Sequence, residues 1–353
     1  MPWPHGGLGT EESPYLVPNA DALDDVRDYV GEDVYFKQTA DISLSDYQEG
    51  AGWVPLVPVD GTVINHGGYK VEGLRISRNA NDQGLYGNFR GNISDLKIYD
   101  AQVVNLGSNN QGIFAARGNG TAYRIYVGDP ETSGGSVLGT NNTGGIAGIG
   151  NEGFIECFAN CSSECRTGGV NCGTAFGRVT SAPVRCIGMG TAKAPSGSGG
   201  FVGVTAANTF GIVDCACFAA VTGGTNTGGF VGEWGTNTGL TRCFADSSVT
   251  PIGSPTAIGG FWGVDAATSP YEYLYWNKTK YATNPPPAEG SYPVGLTSEE
   301  MANSSNFEGF DFDNVWYMAD VPGFGVRPWL RALAGLIPEP SAKARALFMF
   351  AGL

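Results

Sequence analysis

Histidine is almost missing from this chain: His5 and His66 are the only two in 353 residues. No His-Glu-x-x-His occurs, so the common zinc hydrolase pattern is excluded. A serine triad would have to use His5 in the terminal segment or His66 in an expected turn, and neither suits that role. No Walker sequence is present, and Gly-rich loops carry no phosphate-binding information in a chain with 55 glycines. Charge is sparse as well. Only 15% of residues are charged, and 20 basic against 34 acidic residues leave a net −14. An acidic surface repels phosphate backbones, so no nucleic-acid partner is expected. It offers no polybasic patch to an anionic membrane either. No run of 18 apolar residues exists, so no bilayer-spanning helix is expected. The opening Met1-Pro-Trp-Pro-His-Gly-Gly7 lacks the basic and apolar regions of a secretory signal. Collagen is excluded by the absence of a Gly-X-Y period. No cofactor is expected.

What is abundant is glycine together with β-formers, and 42% hydrophobic residues are enough to build a core. A glycine-bracketed apolar motif recurs as Gly84-Leu-Tyr-Gly87, Gly145-Ile-Ala-Gly148, Gly200-Phe-Val-Gly203, Gly229-Phe-Val-Gly232 and Gly260-Phe-Trp-Gly263, with a degenerate Thr174-Ala-Phe-Gly177. A strand-like segment follows each motif, centred on one apolar residue. Those centres are Leu96, Ile125, Cys157, Cys186, Cys215, Cys243 and Leu274, separated by 29, 32, 29, 29, 28 and 31 residues. A unit of this length cannot bury its own apolar face, so successive units must stack and share a core. The expected architecture is all-β, a parallel β-helix of coils about 29 residues long. A propeller blade would need a longer repeat.

The cysteines sharpen this. Cys157, Cys186, Cys215 and Cys243 share one repeat phase, so stacking should file them along the interior as small buried hydrophobes. Ligands filed along an axis do not converge on a metal, and no metal site is expected. Cys161, Cys165, Cys172 and Cys217 are less regular. Cys161-x3-Cys165 with Cys172 leaves a disulfide or a loop zinc site open, although free thiols are the expectation. At the ends, Asn19 to Val30 read as a short N-terminal capping helix with an Asn cap. The segments expected are 1–32 (N-terminal segment and capping helix), 33–283 (β-helix), 284–333 (irregular C-terminal cap) and 334–353 (apolar tail or attachment segment).

The motif and its flanks resemble the GLUG-motif repeat proteins, named for a Gly-Leu-any-Gly signature. Gly84-Leu85-Tyr86-Gly87 matches that signature literally, and the Gly-Gly-Phe-Val-Gly copies match its common later form. Phe36-Lys-Gln-Thr-Ala-Asp-Ile-Ser-Leu44 and Gly61-Thr-Val-Ile-Asn-His-Gly-Gly-Tyr-Lys-Val71 are similar to phrases flanking the motif. Glu156-Cys-Phe-Ala and Arg242-Cys-Phe-Ala are similar to the family's rung, and Leu274-Tyr-Trp276 with Gly295-Leu-Thr-Ser-Glu-Glu-Met301 to its ending. The likeness extends over about 33–332 and implies a right-handed parallel β-helix. It transfers no catalytic residue, because the motif is itself structural.

Binding chemistry is sought among aromatics, since sugars stack on exposed rings. Trp234 and Trp262 follow or sit inside successive motifs, 28 residues apart, and are the candidate ligand-binding residues. Tyr271, Tyr273, Tyr275 and Trp276 lie close behind, and a core position is the competing reading for Trp262. A polysaccharide-cleaving site would need two acids flanking a sugar. Glu156, Asp214 and Asp246, with Glu233 nearby, share a similar phase. Asp311-Phe-Asp-Asn314 has too few acids to argue for calcium. The leading expectation is a non-enzymatic virion protein, a bacteriophage tail fibre, spike or receptor-binding component. It would present a rigid rod to a host-surface glycan or receptor, join other virion proteins and assemble as a homotrimer. An exported bacterial surface adhesin and a polysaccharide depolymerase are the alternatives.

Overall fold

The computed structural model describes residues 3–105, 107–206, 211–236, 239–265, 271–284 and 292–337. Glycine motifs and β-rich segments alternate along one axis, forming a parallel β-solenoid of about eight turns. One face is a seven-stranded parallel sheet running from Tyr86–Phe89 to Trp262–Asp265. Each of its strands begins inside a glycine motif and pairs in register with the next coil, as in Ala115 with Ala147 and Val202 with Val231. The motif side chains Leu85, Phe114, Ile146, Ala175, Phe201, Phe230 and Phe261 point inward and are fully buried. Phe201 stacks on Phe230 at 5.0 Å, and Phe230 on Phe261 at 4.9 Å with rings 8° apart. Glycine is needed before them because the turn folds back on itself. A Cβ at Gly199 or Gly228 would overlap the backbone oxygen of Val202 or Val231. A seventh copy, Ile113-Phe-Ala-Ala116, escapes the motif pattern because Ile and Ala replace its two bracketing glycines.

The second sheet carries the rungs. Leu96 pairs with Ile125, and Cys243 with Leu274. Phe158, Ile187, Ala216 and Phe244 align in consecutive coils. All seven expected rung centres are fully buried, as the spacing required. Immediately before each centre the backbone turns left-handed, at Asp95, Arg124, Glu156, Arg185, Asp214, Arg242 and Tyr273, with φ between 52° and 61°. This kink explains cysteine at four of the centres. Each thiol donates across it to the carbonyl two residues earlier: Cys157 to Ile155, Cys186 to Val184 and Cys215 to Val213 at 3.4 Å, Cys243 to Thr241 at 3.5 Å. All eight cysteines are buried and free.

At the N-terminal end, Asn19 caps the helix Ala20–Asp25 by accepting from the Ala22 amide at 2.9 Å. Before it, Tyr15–Val17 adds a strand parallel to Tyr35–Gln38, and Trp3 stacks on Tyr15 at 5.1 Å. At the other end, the segment expected as an irregular cap contains 3-10 turns and an antiparallel hairpin, Trp316–Val321 with Gly325–Leu330. The hairpin lies along the flank of the stack. Trp329 packs on Phe158 at 6.0 Å and on Phe218 at 5.9 Å, and Trp316 on Phe244 at 5.9 Å. Pro285–Pro287 and the apolar octet Ala346–Leu353 fall outside the described residues. Among the described residues, no helix is long and apolar enough to cross a membrane.

Candidate binding face

The left-handed residues form a column on the outer flank, and the charges of the first six alternate, Tyr273 being neutral. Arg124 reaches Asp95 in the preceding coil at 2.5 Å, Arg185 reaches Glu156 at 2.9 Å and Arg242 reaches Asp214 at 2.6 Å. A non-glycine residue at positive φ costs on the order of 1 kcal/mol. Pairing side chains between coils offsets part of that cost, although exposed pairs contribute only about 0–1 kcal/mol each. The alternation is visible in the sequence one residue before each rung centre, yet a search aimed at carboxylate pairs reads straight past it.

From Phe158 onward the residues after the rung centres are apolar, and the C-terminal segment covers them. Phe158, Ile187, Phe218, Phe244 and Tyr275 share one buried cluster with Trp316, Trp329, Phe307 and Phe310. The carboxylates singled out from the sequence are held within this arrangement. Asp214 pairs with Arg242 and accepts from the Trp316 indole at 3.2 Å. Asp246 is fully buried; it accepts from Arg327 Nε at 2.6 Å and Asn277 Nδ2 at 2.7 Å, and it pairs with Lys280 at 2.9 Å. Glu156 bonds Arg185, and Glu233 accepts from Asn226 at 2.9 Å. Asp214 and Asp246 therefore lie beneath the C-terminal segment, pinned by cations, rather than flanking an open groove.

The aromatic expectation requires correction. Trp234 and Trp262 are both 0% exposed. They pack edge-to-face at 5.8 Å, and both contact Tyr271. The strand Val231–Trp234 and its neighbour direct these rings into the shared core, so neither offers a face to a sugar. Tyr271 and Tyr275 are buried too, and the Tyr273 ring lies against Gly309. Asp311 receives the amides of Asp313 at 3.0 Å and Asn314 at 2.9 Å, an Asx turn. The Asn314 side chain and amide hold its carboxyl below the usual range. His66 is buried between Gln38 and Tyr86, and burial lowers its pKa to about 3. Among the described residues, no three His, Cys, Asp or Glu side chains converge as metal ligands.

The flank that the C-terminal segment leaves open lies one and two coils earlier. There the strand Thr121–Val127 turns Tyr123 and Arg124 outward, and the strand Asn92–Tyr99 contributes Lys97 and Tyr99, all partly exposed, while Tyr126 packs against the edge of the covered cluster. Arg124 sits over the Tyr123 ring at 4.3 Å. The Tyr123 hydroxyl donates to Glu156, which raises its pKa. Tyr99 donates to Asp129 at 3.2 Å, and burial pushes the hydroxyls of Tyr99 and Tyr126 up to about 12. All three therefore remain protonated donors at neutral pH. The Asp129-Pro130 turn, tied to Asn160 at 2.9 Å, leads into a groove of about 450 Å³ beside the hairpin tip. Asn160, Met189, Ser248, Lys280 and Phe324 line it with Pro130. Lys280 Nζ lies 4.0 Å from the centre of the Phe324 ring. Sequence reading missed these tyrosines because nothing in the pattern says which coils the C-terminal segment covers.

No family model matches the chain. A stretch of 88 residues, 23% of the chain, is 41% identical to a protein of Evansella cellulosilytica provisionally named a Gly-rich membrane protein, and it spans 10% of that protein. Among solved structures, a protein of Bacteroides ovatus provisionally named an immunoglobulin A1 protease is similar to the chain, with a TM-score of 0.55 at 17% identity. The superposition covers 92% of this chain and 94% of that one. At this identity the likeness concerns the fold.

Proposed function

We propose that the chain is an adhesive β-helix without catalysis of its own, displayed on or released from a bacterial surface, which holds a glycan against its open flank. The observation that carries this reading is the contrast along one flank. Coils from Phe158 onward bury their outward residues under the C-terminal segment. The coils at Asn92–Val127 present Tyr99, Tyr123, Lys97 and Arg124, next to a groove to which Asn160, Ser248 and Lys280 bring polar groups. Half-exposed rings with hydroxyls already oriented by carboxylates are what sugar stacking and sugar hydrogen bonding require. A bacterial surface is favoured by the naming of the Evansella relative as a Gly-rich membrane protein. Neither relative supports placement on a phage particle, the leading expectation from the sequence. The test is a glycan array probed with labelled protein. Binding should be lost in Tyr99→Ala/Tyr123→Ala while the circular dichroism spectrum stays unchanged. Antibody labelling of intact producing cells places the chain at the surface, whereas recovery only in purified phage particles would restore the particle reading.

A further inference from the structure

Beyond the rungs, each coil extends into a narrow arm whose two sides face each other. On one side Gly139 aligns with Cys165, and Ala194 with Gly223; on the other Thr143, Cys172, Ser198 and Thr227 align in consecutive coils. The sides are close enough that a Cβ on Gly139 would strike Thr143 Oγ1, and one on Gly223 would strike Thr227 Oγ1. Small residues on one side thus accommodate larger ones opposite. In a single coil both facing positions are cysteine. Cys165 is 2% and Cys172 0% exposed, and they share a small cluster with Ala192 and Ala194. The four residues between them that turn the chain are Arg166-Thr-Gly-Gly169, and Arg166, Thr167 and Gly168 are exposed, with Gly168 at φ +81°.

None of the other six thiols belongs to that cluster. Cys157, Cys186, Cys215 and Cys243 belong to successive coils and file along the axis at strand spacing, each within hydrogen-bond reach of its neighbour in the next coil. Cys161 donates to the Thr174 carbonyl at 3.3 Å and Cys217 to that of Gly229 at 3.0 Å. We infer that Cys165 and Cys172 form a modification site: a small-molecule disulfide converts them to a disulfide within the coil. The Cys165 thiolate attacks one sulfur of the small disulfide, forming a mixed disulfide and releasing one thiol. The Cys172 thiolate then attacks the Cys165 sulfur and expels the second thiol. Two protons and two electrons leave the protein, and one small disulfide becomes two thiols. The order follows from the pair's asymmetry. The hydrogen bond from Cys172 holds the Cys165 thiol below its ordinary range, whereas burial pushes Cys172 up. Cys165 also adjoins the exposed turn, where an oxidant arrives first. The product suits an oxidising extracellular compartment, but the inference does not rest on the glycan reading.

The test uses the reduced full chain, incubated with oxidised glutathione, then quenched, unfolded, alkylated with N-ethylmaleimide and cleaved with trypsin. Cleavage after Arg166 separates the two cysteines, so the bond joins peptide 125–166 to peptide 167–178. The joined pair, lighter by two hydrogens, should appear in the wild type and in C161S and vanish in C165S and C172S. Fragmentation of the wild-type pair assigns the bond among Cys157, Cys161 and Cys165 even if a variant fails to fold. Recovery of all eight cysteines alkylated, or a bond through Cys157 or Cys161, would overturn the inference.

Discussion

Asp246 is the point where the C-terminal hairpin is fastened to the solenoid, and removing its charge should loosen that attachment selectively. Its carboxylate is fully buried and receives Arg327 at 2.6 Å, Asn277 at 2.7 Å and Lys280 at 2.9 Å. In Asp246→Ala the cations fare unequally. The Lys280 side chain is 28% exposed and can turn to water, whereas that of Arg327 is 6% exposed and keeps only the Val326 carbonyl at 2.7 Å. Breaking a buried pair from one side costs about 3–5 kcal/mol, because the remaining charge stays desolvated. Here the cost falls on hairpin docking, so the open population should rise by about two to nearly four powers of ten. Limited trypsin digestion at Arg331 measures that opening, and Trp316 and Trp329, both fully buried, report it by a red-shifted fluorescence. The double variant Asp246→Leu/Arg327→Met removes both charges and should recover to within about 1 kcal/mol of wild type. A single variant within about 0.5 kcal/mol of wild type would refute the reasoning, as would a double variant no better than the single.

Acid should weaken the N-terminal coils through His66. Burial lowers its folded pKa to about 3 against 6.5 when unfolded, so the unfolded chain binds more protons between those values and stability falls as pH drops below 6.5. At pH 5 the loss is about 2 kcal/mol, and urea melts of His66→Gln should show a flatter pH dependence over pH 7 to 5. Phe230→Ala removes the middle ring of the Phe201–Phe230–Phe261 stack; it should cost about 3–5 kcal/mol in denaturant melts, and a cost under 1 kcal/mol would argue against a continuous core. Arg185→Gly should lie within about 1 kcal/mol of wild type, because losing a partly exposed ion pair is offset by relief at φ 52°. Arg185→Val, β-branched at the same φ, should be clearly worse.

The architecture was legible because periodicity is a property of the chain itself. The glycine motifs and rung centres recur at a nearly constant interval, and each inward position follows from that interval. The cysteine column was legible for the same reason. The site was not. Trp234 and Trp262 look alike in the sequence whether a ring points in or out, and the parity of a short strand after a glycine turn decides it. Asp214 and Asp246 read as neighbouring surface acids because their partners Trp316 and Arg327 lie 102 and 81 residues away. No repeat interval predicts a hairpin folding back along the flank. That fold-back buries the outward residues of the later coils and leaves Tyr99 and Tyr123 outside the covered cluster.

The most direct test of the adhesive reading measures binding and cleavage together. The purified chain is incubated with a cell-surface polysaccharide taken from its array hits, and bound protein and newly formed reducing ends are measured in the same tube. Retention without new ends, lost in Tyr99→Ala/Tyr123→Ala and kept in Asp214→Asn, is the predicted result. New reducing or unsaturated ends, or retention unaffected by the tyrosine substitutions, would contradict it.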